Sequence, residues 1–255
     1  EITYFDGQVG RCLELLEKHG LVKNTLVMVV SEQGSGFPFG KWTCYDTGLQ
    51  SACLARWPGQ IEPGTTSDAM VEYVDVLPTF LDAAGVTPPA ALDGRSFLPV
   101  LRGQRTTHKT HVFGLMTTRG ILNGSDHFGI RSVRSKRYKY ILNLTPDVPF
   151  RNICMKTRVF QSWEARARGG DEDARDKVRR YRHRPAEELY DITADPHEWH
   201  NLAGNPKLAE IKSQLKARLG RWMKDQGDLG QQTELEAFKH QARRQNKNKN
   251  KAAAN

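Results

Sequence analysis

The feature that most constrains the fold is a short run of residues that is apolar on both faces of a strand. Residues 25–30 read Thr-Leu-Val-Met-Val-Val, and such a pattern is typical of a parallel sheet that helices cover on both sides. Before it, residues 4–19 carry apolar side chains at spacings of three and four, which predicts an amphipathic helix with Gly20 as its C-cap. A second apolar run at 52–57 predicts another strand. We therefore expect an α/β fold whose strands lie in a parallel sheet.

The first 85 residues contain too few predicted strands to form a complete sheet domain. Asp75 predicts the start of a short helix that ends at Gly85 and turns Val76, Leu77, Phe80 and Leu81 inward. Two parallel strands cannot cover themselves on both faces. We therefore interpret the beginning of the chain as the C-terminal part of a large parallel or mixed sheet domain, flanked by helices, whose other strands lie outside this sequence.

The pattern changes after the Pro-Pro pair at 88–89. Short strands are predicted at 111–115, 129–134 and 137–143, the last two joined by a turn at Ser135-Lys136, with alternating Tyr138, Tyr140 and Leu142 on one face. A stretch rich in Arg, Asp and Glu, from about 155 to 187, is expected to cross the surface. The clearest helix begins near Pro206 and carries one apolar stripe, formed by Leu208, Ile211, Leu215, Leu219 and Trp222. This predicts a smaller antiparallel-sheet subdomain packed by a C-terminal helix.

Three regions follow, at 1–105, 106–230 and 231–255, the last a basic and disordered tail. Although the net charge is +9, most of it falls in residues 239–255, which hold basic but no acidic side chains. We interpret the tail as solvated, with a patch that attracts anionic partners as the alternative, and we expect no nucleic-acid partner. Without an apolar run of about 18 residues, no membrane segment is expected. The four cysteines show no metal-ligand spacing and predict buried or half-buried thiols.

A candidate site follows the first strand. Glu32 and Gln33 stand at its carboxyl end, where ligands gather in open α/β sheets, and their side chains offer the hard oxygen atoms that Ca²⁺ or Mg²⁺ accepts. Gly34 and Gly36 would let the backbone turn away, and Lys41 would return a positive charge to the same place. The alternative is ordinary turn chemistry with a solvated lysine. Two oxygen ligands are also too few for a metal, so further acids would have to come from elsewhere.

The motifs around this loop resemble those of type I sulfatases, in the alkaline phosphatase superfamily. The family commonly carries Ser-Asp-His-Gly or Ser-Asp-Asn-Gly at the strand end, then Gly-Lys, then an Arg-Trp-Pro-Gly strand exit. The matching segments here are Tyr4-Phe5-Asp6-Gly7, Ser31-Glu32-Gln33-Gly34, Gly40-Lys41-Trp42-Thr43, Ala55-Arg56-Trp57-Pro58-Gly59, Asp93-Gly94-Arg95-Ser96, Ile130-Arg131-Ser132-Val133-Arg134, Arg137-Tyr138-Lys139-Tyr140, Glu188-Leu189-Tyr190-Asp191 and Asp195-Pro196-His197-Glu198. They run in order from residue 1 to about 225.

The resemblance implies that Glu32 and Gln33 are ligands of Ca²⁺, with Mg²⁺ as the second choice, and that Lys41 contacts the sulfate. Glu and Gln here replace the commoner Asp and His or Asn. The family's nucleophile is a formylglycine made from the first residue of Cys (or Ser)-x-Pro (or Ala)-x-Arg, and this motif does not occur here. The resemblance therefore implies a fragment that is inactive alone, whose partner is the N-terminal half of the same enzyme. The expected reaction of the complete enzyme is the hydrolysis of a sulfate ester.

The C-terminal motifs are similar to the heparan sulfamidase (N-sulfoglucosamine sulfohydrolase) branch, which implies a sulfated carbohydrate or another sulfate ester as substrate. His127 and Arg131 come just before and within a strand that could line the pocket. Substrate contact is one interpretation, and a packing histidine and a structural ion pair are the alternatives. Family habit implies a periplasmic or secreted enzyme. Two other functions stay open: a phosphonate or phosphodiester hydrolase of the same superfamily, and a catalytically dead module that binds sulfated glycans.

Overall fold

A computed structural model describes residues 1–117, 124–125 and 127–240. In chain order its helices and strands are α1 (Ile2–Lys18), β1 (Val27–Val30), α2 (Asp46–Leu49), β2 (Cys53–Arg56), α3 (Val76–Ala83), α4 (Leu98–Leu101), β3 (Val112–Met116), β4 (Ile130–Arg134), β5 (Tyr138–Asn143), α5 (Arg158–Arg168), α6 (Glu172–Arg182), β6 (Glu187–Asp191), α7 (Ala209–Asp225) and α8 (Gln231–Glu236). The predicted class is confirmed, because the chain is α/β and ends in an antiparallel sheet packed by a helix.

The chain divides into two compact units. The first unit consists of residues 1–32 and 51–112, and the second of residues 33–50 with the chain from Phe113 onward. The candidate loop 33–50 thus belongs to the second unit, whereas the sequence grouped it with region 1–105. Residues 231–236 of the predicted tail form α8, and the rest of that tail, from 241, lies outside the described residues.

In the first unit, β1 and β2 pair with each other. The pair is antiparallel, with Val27 opposite Arg56 and Val30 opposite Cys53, so the predicted parallel direction of these two strands is wrong. The apolar run indicates burial on two faces, but hydropathy carries no information on strand direction. Helix α1 forms as predicted, but its C-cap is His19 and not Gly20. Gly20 follows it with a φ of 66°, the left-handed conformation that a glycine adopts without steric cost.

Many apolar side chains of the first unit are exposed in this chain. Helix α1 buries none of its residues, and the expectation that α3 turns Leu77 and Phe80 inward is wrong, since they are 54% and 39% exposed. Only Pro78 and Thr79 of α3 are buried. The apolar periodicity identifies side chains that favour burial, but it does not specify what covers them.

The second unit is built on the sheet β3-β4-β5-β6. Strands β4 and β5 are antiparallel and joined by the predicted turn, in which the Ser135 N–H donates to the Tyr138 carbonyl at 2.8 Å. Strands β5 and β6 are antiparallel as well. The predicted alternation is confirmed, because Tyr140 faces the α7 side chains Leu215 and Leu219.

The opposite face of this sheet is also covered. Ile141 and Tyr190 pack there in a second apolar cluster with Phe150, Phe160 and Tyr181. Phe160 and Tyr181 come from α5 and α6, which form in the stretch that was expected to cross the surface. Each helix begins at a side-chain cap: Thr157 Oγ1 accepts from the N–H of Phe160 in α5, and Asp171 accepts from the N–H of Ala174 in α6. Two apolar side chains of this stretch, Phe160 and Tyr181, are fully buried.

Across the described residues, none of the helices combines the length and the apolar composition that a bilayer span requires.

Candidate functional site

The loop between β1 and β2 is compact because its backbone approaches itself at glycines. The N–H of Gly34 donates to the carbonyl of Gly48 at 3.1 Å, and a Cβ at Gly34 would lie 1.7 Å from the Thr47 carbonyl oxygen. Gly40 and Gly48 are similarly closed, with backbone oxygens 2.4 Å from a Cβ built at either position. A Cβ at Gly36, by contrast, would meet nothing within 4 Å. The sequence analysis expected a glycine at position 34 so that the backbone could turn away. The structure shows another reason, because a side chain at this position would collide with the backbone of the same loop.

Lys41 lies half-buried at the tip of this loop. Its N–H donates to the Ser35 carbonyl at 2.7 Å, and its Nζ lies 4.9 Å from the centre of the Trp42 ring. Phe39 and Trp42, on either side of it, have φ of 65° and 64°. Left-handed backbone costs about 1–3 kcal/mol at a non-glycine residue and concentrates at functional sites. The backbone around Lys41 is therefore held in a conformation that the surrounding structure must enforce.

Buried polar contacts hold the loop in place. We call this set the anchor network: Tyr45, Asp46, Lys139, Glu188 and Glu198. The Tyr45 hydroxyl donates to Glu188 at 2.8 Å, Lys139 Nζ lies 2.8 Å from Asp46 and 3.0 Å from Glu198, and the Asp46 N–H donates to Glu198 at 2.5 Å. Since β5 and β6 supply Lys139 and Glu188, the sheet fixes the loop that carries Lys41.

Burial sets the protonation of this region. It raises the pKa of Glu198, although the neighbouring charge of Lys139 acts in the opposite direction. It also raises the pKa of the Tyr45 hydroxyl, and the charge of Glu188 adds to that effect. The pKa of the Cys44 thiol rises to about 11, again chiefly through burial. Cys44 is therefore a protonated packing residue at neutral pH, and it is unsuited to act as a nucleophile. The prediction of buried or half-buried thiols is confirmed for Cys44 and Cys154 and is wrong for Cys12 and Cys53, which are exposed.

The two predicted metal ligands follow β1 directly. Glu32 is exposed and Gln33 is half-buried. Their carboxylate and amide oxygens fit the preference of Ca²⁺ for hard donors. Among the described residues no group of three or more His, Cys, Asp and Glu side chains could hold a metal ion. The donor set of this chain therefore fits one part of a calcium site and requires further ligands.

His127 lies just before β4, half-buried, with a left-handed φ of 56°. Its carbonyl accepts hydrogen bonds from Gly129 N–H and from the Thr145 hydroxyl, both at 3.2 Å. These two hydrogen bonds hold the backbone of His127 next to the start of β4.

Arg131 is 3% exposed, and its guanidinium donates to Asp228 at 2.5 Å and to Glu234 at 2.8 Å. Burial opposes its charge, but hydrogen bonds and charges from both carboxylates outweigh that effect and raise its pKa. This is the structural ion pair that the sequence left as the alternative. The assignment of Arg131 to substrate contact is corrected accordingly, because its donors are occupied inside the fold.

The sequence did not reveal the anchor network. Lys139 and Asp46 are 93 residues apart, and a lysine within a strand is ordinarily read as solvated. One signal was present: Lys139, Ile141 and Asn143 share the face opposite the tyrosines, and the apolar member indicates that this face is covered too.

Several known proteins are similar to this chain. Residues 34–147 match the family model described as N-sulphoglucosamine sulphohydrolase, C-terminal. An ulvan-active sulfatase of Formosa agariphila is 40% identical over 223 residues, which cover 87% of this chain and 42% of the relative. The N-sulphoglucosamine sulphohydrolase of Homo sapiens is 30% identical over 241 residues, which cover 85% of this chain and 45% of the relative. The chain thus spans less than half the length of these curated relatives.

Solved structures share the fold. A protein in complex with its substrate D-glucosamine-2-N,6-O-disulfate has a TM-score of 0.67 and 24% identity, covering 90% of this chain and 40% of that one. A phosphonate monoester hydrolase from Silicibacter pomeroyi has a TM-score of 0.61 and 22% identity, covering 86% of this chain and 40% of that one. At these identities the likeness concerns the fold alone.

Proposed function

Because the chain belongs to the type I sulfatases and corresponds to their C-terminal portion, we propose that the whole protein removes sulfate from a sulfated carbohydrate. The observation that carries the proposal is the 40% identity to an ulvan-active sulfatase over 87% of this chain. The similarity to an N-sulphoglucosamine sulphohydrolase and to an N-acetylglucosamine-6-O-sulfatase supports a sulfated sugar as the substrate class.

In this proposal Lys41 binds a sulfate oxygen through its ammonium group. The loop that carries it is already rigid, since Gly34 and Gly48 bond across it and the anchor network fixes Asp46 to the sheet. A preorganised charge needs no reorientation as negative charge develops on the substrate, which is the usual source of electrostatic catalysis. The ring of Trp42, 4.9 Å from Nζ, positions the ammonium group.

Glu32 and Gln33 would hold Ca²⁺ together with further acidic residues, since the described residues offer no group of three or more His, Cys, Asp and Glu side chains that could hold a metal ion. The bound ion would supply positive charge for the sulfate oxygens. The nucleophile, a formylglycine by family resemblance, belongs in this proposal to the portion of the relatives that the chain does not span. His127 is proposed to contact the substrate from the end of β4. Export to the periplasm or the medium would give such an enzyme access to polymeric glycans.

The activity is tested on the protein expressed from its complete gene. We expect sulfate release from sulfated oligosaccharides to exceed the hydrolysis of a matched phosphonate monoester, and Lys41→Met to lower kcat/KM for the sulfated substrate by about 100-fold or more. Arg168→Met, at an exposed residue of α5, is the control. Preference for the phosphonate would indicate the other hydrolase activity, and glycan binding without turnover would indicate a binding module.

The metal assignment is tested separately from activity. Calcium titration monitored by thermal denaturation should show a rise in Tm that Glu32→Ala and Gln33→Ala weaken. Glu14→Ala, which removes another exposed carboxylate from the first unit, should leave the rise unchanged. Unaltered calcium affinity in both site variants would refute the assignment.

A further inference from the structure

A cavity of about 340 Å³ opens in the second unit. Its lining includes Tyr45, Arg180, Arg184, Glu188 and Trp199. The volume lies within the range of about 300–1,000 Å³ that is typical of small-molecule sites. Arg179 lines the wall as well, but its charge is paired with Asp176 at 2.5 Å. The excess of positive charge therefore comes from Arg180 and Arg184, against the one carboxylate of the wall.

Arg184 is the unusual member of the wall. It is 3% exposed, and all three of its guanidinium nitrogens are buried without a hydrogen-bond partner among the described residues. Its guanidinium group instead lies over aromatic rings. The guanidinium carbon is 4.1 Å from the centre of the Phe150 ring and 5.1 Å from that of the Tyr45 ring. Buried polar groups are almost always hydrogen-bonded, and a buried charge without an acceptor is costly.

The one carboxylate in the wall does not meet this need. Glu188 accepts hydrogen bonds from the hydroxyls of Tyr45 and Tyr190 at 2.8 and 2.6 Å and from the Asn143 amide at 2.7 Å. No ion pair joins it to Arg184 within the described residues. The guanidinium nitrogens of Arg184 therefore have no hydrogen-bond acceptor among the described residues. A ligand from outside the chain would supply one.

The other cations of the wall are placed to admit such an acceptor. Arg180 lies 4.7 Å over the Trp199 ring, and Arg179 is exposed at the rim. The exposed His183 stands beside them. Planar guanidinium groups match the geometry of oxyanions, which they bind through paired hydrogen bonds.

We infer that this cavity is a binding site for an oxyanion, a sulfate or a carboxylate, which supplies the missing acceptor of Arg184. The anion arrives either as free inorganic sulfate or as the acidic group of a saccharide whose ring lies against Trp199. The site does not include Lys41, Glu32 or Gln33, so it is an anion site additional to the one proposed for catalysis.

The test is a thermal-denaturation titration in a Lys41→Met background, which removes the sulfate contact proposed for catalysis. Sodium sulfate is compared with sodium chloride at equal ionic strength, and sodium glucuronate with glucose. We expect a Tm that rises and saturates with sulfate or glucuronate and that chloride and glucose do not reproduce. The variant Arg184→Met should weaken that affinity by about tenfold or more, as expected for hydrogen bonds to a charged group, while Arg168→Met keeps it.

Each outcome decides the inference. Saturation by sulfate alone identifies the free anion, and saturation by glucuronate identifies an acidic saccharide. A Tm that rises linearly with sulfate concentration, by the same amount in Arg184→Met as in the parent protein, is the general effect of an excluded salt. That result overturns the inference. If Arg184→Met does not fold, Arg180→Met decides in its place, because this half-buried side chain reaches the same cavity; unchanged sulfate affinity in that variant overturns the inference.

Discussion

Replacing Lys139 by Met tests how the candidate loop is fixed to the sheet. The Lys139 side chain is 1% exposed and lies between Asp46 and Glu198, of which Glu198 is also 1% exposed. Removing one partner of a buried ion pair leaves an uncompensated charge and costs about 3–5 kcal/mol. Asp46 keeps Arg134 at 3.1 Å, so the main effect falls on Glu198.

Protonation of Glu198 limits this cost. With Lys139 gone, the pKa of Glu198 rises further, and the carboxyl binds a proton instead of staying charged. From its ordinary pKa of 4.5, protonation at pH 7 costs about 3.4 kcal/mol and at pH 5 about 0.7 kcal/mol, at 1.36 kcal/mol per unit. A raised folded-state pKa destabilises the fold by an amount that grows from the ordinary pKa of 4.5 up to the raised pKa and is constant above it. The penalty therefore disappears as the pH falls towards 4.5. We therefore expect a loss of about 3 kcal/mol at pH 7 that shrinks to about 1 kcal/mol at pH 5.

The assay is denaturant unfolding of the wild type and Lys139→Met at pH 5, 6, 7 and 8. Lys136→Met, an exposed lysine in the turn of the same hairpin, is the control and should change the free energy of unfolding by less than about 0.5 kcal/mol. Adding Glu198→Gln to Lys139→Met should remove most of the pH dependence. A loss below about 1 kcal/mol at pH 7, or one that stays constant down to pH 5, would refute the reasoning.

Three further predictions concern other parts of the fold. Gly34→Ala should destabilise by about 1–3 kcal/mol or more in thermal unfolding, because its Cβ would lie 1.7 Å from a backbone oxygen, whereas Gly36→Ala should be neutral; equal effects would contradict the packing argument. Leu219→Ala, at a side chain 1% exposed, should cost about 2–5 kcal/mol in denaturant unfolding, and a cost under about 1 kcal/mol would mean that α7 is not docked. Hydrogen bonds from Lys216 and a tyrosine lower the pKa of Glu187 to about 2, so Glu187→Gln should cost on the order of 1 kcal/mol after allowance for its exposure. That difference should hold above pH 4.5 and vanish as the pH falls towards 2, and a difference independent of pH would contradict it.

Local patterns predicted β3, β4, β5 and α7 of the second unit, but not α5, α6, β6 or α8. The stripe on α7 and the alternation on β5 are both properties of neighbouring residues, and one turn joins β4 to β5. Such features are encoded within ten or twenty residues of one another. The antiparallel direction of β1 and β2 is not encoded in this way, because it depends on the path of the 22 residues between the strands.

The candidate site was predicted only in part. Glu32, Gln33 and Lys41 follow from the resemblance to the family together with their position after an apolar strand. The left-handed backbone at Phe39 leaves no trace in the sequence, since its residue type gives no sign of a positive φ. Arg131 was misassigned for the same reason that Lys139 was overlooked. A charged residue with partners far along the chain is indistinguishable, in sequence, from one that meets solvent or a ligand.

The short helix α8 has a consequence for where this protein can be cut or fused. Glu234 is 2% exposed and bonds to Arg131, and it packs so closely on Gly129 that a Cβ there would lie 2.7 Å from its Cγ. A truncation after residue 230, where the tail was predicted to begin, would remove Glu234. Arg131 of β4 would then lose this buried hydrogen-bond partner, and Gly129 would lose the side chain packed on it. The boundary for a trimmed version or a C-terminal tag therefore belongs beyond residue 240, about ten residues after the tail boundary that was predicted at 231.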